Sequence, residues 1–384
     1  WQGSDPKLPA LLFAAHMDVV PASPAQWAHD PWSGAIVDGY IYGRGTLDDK
    51  VNVLGLMEAA EQLLRDGFVP ERTMYFAFGH DEEVGGYQGA KAIAELLASR
   101  GAKIEAVVDE GLVITEGVLP GLDVPLAIVG VAEKGFANIE LRVQGEGGHS
   151  SMPPPESAIG VLSNAVAALE ATPMPGSITG AVDQMFEYVG PELPFARKLV
   201  MANLWLFRSM VQSSLEAKPA TDALLRTTTA PTILEAGVKS NVLAQRARAV
   251  VNFRILPGDT VEDVLAHVRR VIANDAVELR ALESVEAQDS SSTSSRVFAV
   301  LERSIRSLDP TIVVAPGLML AMTDSRHYKD LAPDIYRFSA LRFGPADVKR
   351  LHGVDERVSI ESYQELVSFQ LLLMRSASSS TRSE

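Results

Sequence analysis

Short apolar runs alternate with stretches of helical periodicity through the first third of the chain. Leu11 to Ala15, Thr73 to Phe78 and Ala106 to Asp109 read as buried strands, while about Val51 to Arg65 and Gly89 to Ser99 carry apolar residues at helical spacing. Strand and helix in alternation predict an α/β fold, a mostly parallel sheet covered by helices. Such sheets bind ligands at the carboxyl ends of their strands. His16, the acidic run Asp81 to Glu83, and Asp109 each lie at or directly after such an end.

From Ala137 the texture changes. A strand over Asn138 to Val143 leads through a Gly-rich loop to a helix over Glu156 to Ala171. After a long irregular segment come a strand over Ala247 to Ile255, a helix over Thr260 to Asn274 and a strand over Ala276 to Leu282. This set predicts a small α+β domain, residues 137–287, inserted into a larger domain made of residues 1–136 and 288–384. The polar stretch Gln288 to Ser295 marks the return, and Arg296 to Met374 supplies further helix and strand signals. The Ser-rich tail from Ser376 to Glu384 reads as disordered. No fixed-period repeat is evident, which argues against solenoids and propellers.

Composition narrows the chemistry. The 384 residues suit two domains. With 47% hydrophobic and 22% charged residues, the chain is an ordinary globular one. A net charge of -15 removes the electropositive footprint that nucleic acid requires. The absence of Cys removes disulfides, thiolate metal sites and cysteine nucleophiles. The apolar run Leu199 to Phe207, closed by Lys198 and Arg208, falls short of the roughly 20 residues a membrane helix needs, so no transmembrane segment is expected. The chain opens on Trp1 and reaches a strand-like run by Leu11, which is expected of a truncated N-terminus; a signal peptide or anchor could have gone with it, so the compartment stays open.

The candidate chemistry lies in polar clusters beside the strands. His16 and Asp18 point the same way in extended structure, either as an oriented metal ligand or as a plain hydrogen-bonded pair. Asp48 and Asp49 follow the Gly43-Arg44-Gly45 turn, where an Asp also serves as a helix cap. Asp81-Glu82-Glu83 reads as a solvated acidic turn or as carboxylates gathered around a cation, and Asp109-Glu110 repeats the pattern. Imidazole and carboxylates from several strand ends together suit zinc better than any one cluster alone.

Six strings occur in order: His16 to Pro21, Gly43-Arg44-Gly45 with Asp48-Asp49-Lys50, Asp81-Glu82-Glu83, Val108 to Gly111, Gly148 to Ser151, and Leu351 to Glu356. Together they resemble the di-zinc metallopeptidase family that contains carboxypeptidase S, aminoacylase and glutamate carboxypeptidase, from residue 11 to about 372. The resemblance implies His16, Asp109 and a bridging Asp48 on one zinc, with Asp48, Glu83 and His352 on the other. Some relatives use a Glu in the same loop, so Glu110 competes with Asp109. Asp49 is the weaker candidate for the bridge. Glu82 is implied as general base, removing a proton from a metal-bridged water and protonating the leaving amine, with Asp18 orienting His16.

In the inserted domain, implied as a dimerisation or lid domain, His149 resembles the histidine that stabilises the oxyanion in the partner subunit, with a surface-loop histidine as the alternative. Asn241 and Arg254 resemble the holders of the substrate's free carboxylate, although Arg254 also suits a strand-end ion pair. Arg326 is a candidate substrate contact or a partner for Asp324. The implied activity is hydrolysis of an amide or peptide bond beside a free carboxylate, as a carboxypeptidase or N-acyl-amino-acid deacylase, in a homodimer with two zinc ions per subunit; cobalt or manganese are substitutes. The substrate would be a dipeptide or an N-acyl amino acid.

Compared with compact members, the inserted domain carries extra sequence from about Pro173 to Val238, rich in Met185, Tyr188, Phe195, Trp205, Leu206 and Met210. It reads as an amphipathic helix on its own core or as an apolar wall for a long acyl group, and it leans toward the carboxypeptidase S-like and fatty acyl amino acid hydrolase subgroup. The rival class is a non-catalytic metal-binding scaffold of the same fold. A serine hydrolase lacks its Gly-x-Ser-x-Gly string, and the Gly145 to Ser150 stretch fails the dinucleotide fingerprint.

Overall fold

A computed structural model describes residues 1–119 and 121–379. They divide into two compact units: Trp1–Ala132 with Asp183–Asn203 and the chain from Ser290, and Glu133–Val182 with Leu204–Asp289.

The first unit is built on a sheet of six strands among the described residues. Their order is Val313–Met319, Leu126–Glu133, Asp334–Phe343, Ile104–Thr115, Ala10–His16, Met74–Gly79. Ala10–His16 is buried along its whole length, as expected of a strand covered on both faces, and it runs parallel to both neighbours. Asp334–Phe343 continues the parallel set, and Leu126–Glu133 joins it antiparallel. The predicted fold class, mainly parallel α/β, is the one observed.

The helix Lys50–Arg65 turns Val51, Asn52, Gly55, Leu56, Ala59 and Leu63 inward, a single helical face, and packs against Ile360–Ala377. The helix Ala90–Ser99 buries Ala90, Ala94 and Leu97 against Leu12, Ala77, Val107 and Tyr328. A small antiparallel sheet pairs Arg357–Ser359 with Tyr40–Tyr42, joining chain segments more than 300 residues apart.

The second unit has a four-stranded antiparallel sheet in the order Val277–Val285, Gly135–Gln144, Arg246–Ile255, Thr228–Ala236. The helices Ala158–Ala171 and Val261–Ile272 close a core of Ile139, Leu141, Leu162, Val251, Phe253 and Val264. A two-residue pairing sets Val242 opposite His149.

Three differences from the sequence reading stand out. The segment read as long and irregular, with an amphipathic helix as one reading of its apolar residues, carries the helices Gly180–Val189, Phe195–Ala202 and Leu204–Glu216. Pro191, Pro194 and Asn203 interrupt it, so one continuous helix does not form. Residues 183–203, expected inside the inserted domain, pack with the first unit, where Met185, Tyr188 and Val189 meet Leu122, Leu126 and Val313. At the other end, the helix Ile360–Ala377 takes in Ser376, which was expected in the disordered tail; residues 380–384 of that tail lie outside the described residues.

Candidate active site

His16 ends its strand almost wholly buried. Its Nε2 lies 2.8 Å from Oδ1 of Asp48. The other Asp48 oxygen, Oδ2, lies 3.0 Å from Nε2 of His352, and Glu83 Oε2 approaches the same nitrogen at 3.4 Å. Two donor groups result, His16 with Asp48 and Glu110, and Asp48 with Glu83 and His352, each with its atoms within 4.8 Å of one another. Asp48 belongs to both and presents one oxygen to each histidine.

Glu110, not Asp109, stands in the first group. Asp109 faces away, with Oδ2 accepting from the Ser325 amide at 2.8 Å and Oδ1 from the Glu110 amide at 3.0 Å. The cause is the pleat: adjacent residues of Ile104–Thr115 project to opposite sides, so one acid reaches the histidine and the other is tied to the loop beyond Thr323. Asp49 is likewise turned inward, its carboxylate accepting from the His16 amide at 3.2 Å and from Asn52 at 2.5 Å.

Asp18 acts through two of its parts. His16 Nδ1 lies 3.1 Å from the Asp18 main-chain carbonyl and 3.4 Å from its carboxylate. The carboxylate itself accepts the amides of Glu82 and Glu83, at 3.1 and 3.0 Å, and so pins the turn that carries both acids. The expectation that the Asp18 carboxylate chiefly orients the imidazole is therefore amended, because the carbonyl makes the closer contact.

The electrostatics call for positive charge. Burial, then Asp48, raises the Glu83 carboxyl, and burial, then Asp49 and Asp48, raises that of Glu110 well above the usual range. Burial with the charges of Asp324 and Asp48 pushes Glu82 up to about 8. Burial alone would lower the His16 imidazolium, yet the Asp48 hydrogen bond and the charges of Asp49 and Glu110 outweigh it and push the group up to about 12. Against its burial, the hydrogen bond and charge of His16, then those of His352, hold the Asp48 carboxyl down. Glu83 Oε1 is buried without a hydrogen-bond partner. An orphaned carboxylate oxygen beside two imidazoles and two further carboxylates is the donor chemistry that divalent zinc accepts, so the residues fit such an ion.

Asp324 is buried beside this site, and neither carboxylate oxygen has a hydrogen-bond partner among the described residues. Arg326 donates to the Thr323 carbonyl at 3.0 Å rather than bonding to Asp324, so the anticipated pair is not made. In the second unit, His149 Nδ1 lies 2.8 Å from the Ser151 hydroxyl, and the Asn241 carbonyl accepts the Ser150 amide, which brings His149 and Asn241 together. Arg254 projects from Arg246–Ile255 between two core residues, Phe253 and Ile255. A cavity of about 650 Å³ in that unit is lined by Arg142, Glu235, Arg246 and Arg248 and by none of the candidate ligands.

The sequence reading assigned no role to Arg44, Glu356, Asn52 or Gln370, all buried around the acidic loop. Glu356 sits in the same string as His352 and Arg44 in the string before Asp48, but nothing local shows that the two meet. Among the described residues, no helix is long and apolar enough to cross a membrane.

Residues 12–376 match the model of peptidase family M20/M25/M40. An N-fatty-acyl-amino acid synthase/hydrolase of Danio rerio is 43% identical over 98% of this chain and 74% of its own length. A probable carboxypeptidase S-like protein of Dictyostelium discoideum is 45% identical over 98% of this chain and 73% of its own. The solved structure of an M20 family metallo-carboxypeptidase from Sulfolobus solfataricus superposes with a TM-score of 0.70 at 19% identity, covering 96% of this chain and 84% of that one. The chain thus spans about three quarters of the length of the curated relatives it matches.

Proposed function

The chain belongs to peptidase family M20/M25/M40 and is a metal-dependent hydrolase of amide bonds, and from that premise we propose that it cleaves an amide beside a free carboxylate, as a carboxypeptidase or an N-acyl-amino-acid deacylase. The observation that carries the reading is Asp48, shared between two donor groups with one oxygen turned to each histidine, next to the half-buried Glu82. His16, Asp48 and Glu110 would hold one ion, and Asp48, Glu83 and His352 a second. Two zinc ions bound there, or cobalt or manganese in their place, would supply Lewis acidity and an acidified water.

The protein's own share is proton transfer and positioning. Glu82 takes a proton from the attacking water as its oxygen bonds to the amide carbon. It then gives that proton to the departing nitrogen, so the C–N bond breaks to a neutral amine. Asp18 keeps Glu82 and Glu83 in register by accepting both amides. Arg254, Asn241 and Arg326 are the candidates for gripping the substrate carboxylate, and His149 for donating to the oxyanion. The fatty-acyl and carboxypeptidase names of the relatives support a dipeptide or N-acyl amino acid as substrate. We also infer a homodimer, which sedimentation would report as twice the 41.3 kDa chain mass.

A panel of N-acyl amino acids and dipeptides, each as free acid and as methyl ester, tests the reading. Blocking the carboxylate removes a charged hydrogen bond worth about 1.5–3 kcal/mol, an expected loss of roughly ten- to a hundredfold in kcat/KM. Equal turnover of ester and acid would contradict the carboxylate grip, and the preferred series would separate deacylase from peptidase.

A further inference from the structure

Arg44 and Glu356 form a buried ion pair at 2.5 Å, with Arg44 6% and Glu356 0% exposed. The pair does more than neutralise itself. Glu356 Oε1 accepts three amides of the acidic loop, those of Gly45 at 3.1 Å, Leu47 at 2.7 Å and Asp48 at 3.2 Å. Arg44 sends its other nitrogen, Nη2, to the carbonyls of His352 at 3.2 Å and Gly353 at 2.8 Å. Each member therefore reaches into the other's loop: the Glu of the histidine loop holds the backbone of Asp48, and the Arg of the Asp48 loop holds the backbone of His352.

The neighbourhood leaves this arrangement little freedom. The Arg44 guanidinium lies 5.2 Å from the ring centre of Trp27, and the Arg44 amide donates to the Pro31 carbonyl at 2.9 Å. The Gly43 amide donates to the Glu356 carbonyl at 3.0 Å, continuing the pairing of Tyr40–Tyr42 with Arg357–Ser359. His352 itself is in the left-handed region, φ 57°, as is Asp355, φ 56°. A non-glycine residue stays there only when its surroundings hold it. The two carbonyl contacts from Arg44 fall on His352 and the residue after it, the point where that restraint is needed.

We propose that Arg44 and Glu356 are positioning residues whose crossed contacts set the distance between Asp48 and His352, and so the affinity of the second donor group for its ion. The inference rests on the metal reading of those groups but not on any substrate. The pair differs from an ordinary buried salt bridge because its hydrogen bonds end on the main chain of the loops that carry two candidate ligands. Partners that orient metal ligands change metal affinity by about ten- to a hundredfold when altered.

The test is a competition titration of the metal-free chain with zinc against a chromophoric chelator, counting equivalents and their affinities, alongside the thermal midpoint. Arg44→Lys keeps the cation but cannot fork to Glu356 and to two carbonyls at once. It is expected to weaken one of two zinc equivalents by about ten- to a hundredfold. Glu356→Gln, which loosens the Asp48 backbone shared by both groups, is expected to weaken both. Arg296→Lys is the control. Arg296 bonds both oxygens of Glu105, at 2.9 and 2.7 Å, and two main-chain carbonyls, so it matches Arg44 in contacts but serves no ligand loop. It is expected to lower the midpoint and leave zinc binding unchanged.

Wild-type affinities in both loop variants would overturn the proposal, as would losses no larger than those of Arg296→Lys. Failure of both loop variants to fold while the control folds would also overturn it, because the pair would then serve the fold and not the spacing. Wild-type protein that bound no zinc would instead defeat the metal reading itself, a separate result.

Discussion

Asp48 and the pair Asp109-Glu110 carry the residue-scale argument. A carboxylate that offers one oxygen to each of two imidazoles belongs to both donor groups, and the pleat of one strand decides which of two neighbouring acids completes the first group. Glu110→Gln is accordingly expected to weaken zinc by about tenfold or more, since even the partners of ligands cost that much. Asp109→Asn is expected to keep both equivalents and to lose stability, about 1–3 kcal/mol, by disturbing the acceptor of the Ser325 amide. Zinc titration with denaturant melts of both variants separates the two; the reverse pattern would return Asp109 to the ligand set. Much of this site was legible in the sequence, because His16, Asp48, Glu83 and His352 each sit in a string with a recognisable neighbour. The choice of Glu110 was not, since it depends on which side of a strand faces His16. The crossed contacts of Arg44 and Glu356 were hidden by a separation of 312 residues.

At the scale of elements, the strands and helices named from the pattern are present with displaced ends, while the buried strand Leu126–Glu133 and the strand Thr228–Ala236 were not named. Ala10–His16 and Arg246–Ile255 come from uninterrupted or alternating apolar runs whose burial matches their pattern. The separate helices between Gly180 and Glu216 could not be delimited because proline and asparagine cut the segment into pieces of about two to four turns. Close backbone approaches are equally invisible in a pattern. Gly135 begins its strand where any Cβ would collide with the backbone from Val285 to Ala287. Gly135→Ala is therefore expected to destabilise the second unit by about 1–3 kcal/mol, the usual cost of overpacking. A denaturant melt with an unchanged midpoint would show that the strand can move aside.

For the whole molecule, the balance of charge and burial makes stability depend on pH in a way that one residue away from the acidic site can report. Lys134 is 2% exposed, donates to the Arg226 carbonyl at 2.6 Å, and is pushed by burial down to about 8. Between that value and the ordinary lysine range near 10.5, the unfolded chain binds the extra proton, so stability rises with pH across that window. Lys134→Met is expected to remove that rise, leaving a flatter profile from pH 8 to 10 in melts at matched ionic strength; identical slopes would show that the lysine keeps its charge when folded. The second unit begins at Glu133, close to the change of texture near residue 137. The return of residues 183–203 to the first unit was not visible in the sequence, because it depends on which core Met185, Tyr188 and Val189 meet.

The central claim is that Glu82 moves the proton in a metal-dependent amide hydrolysis. It is tested most directly by measuring bound zinc and turnover on the same samples of wild-type protein and Glu82→Ala, with a chelated wild type beside them. Two equivalents of zinc in wild type and variant, a turnover lower by about 10²- to 10⁴-fold in the variant, and no turnover by the chelated wild type are the predicted results. Undiminished turnover by Glu82→Ala, or a loss accompanied by loss of zinc, would contradict the assignment of Glu82 as the base.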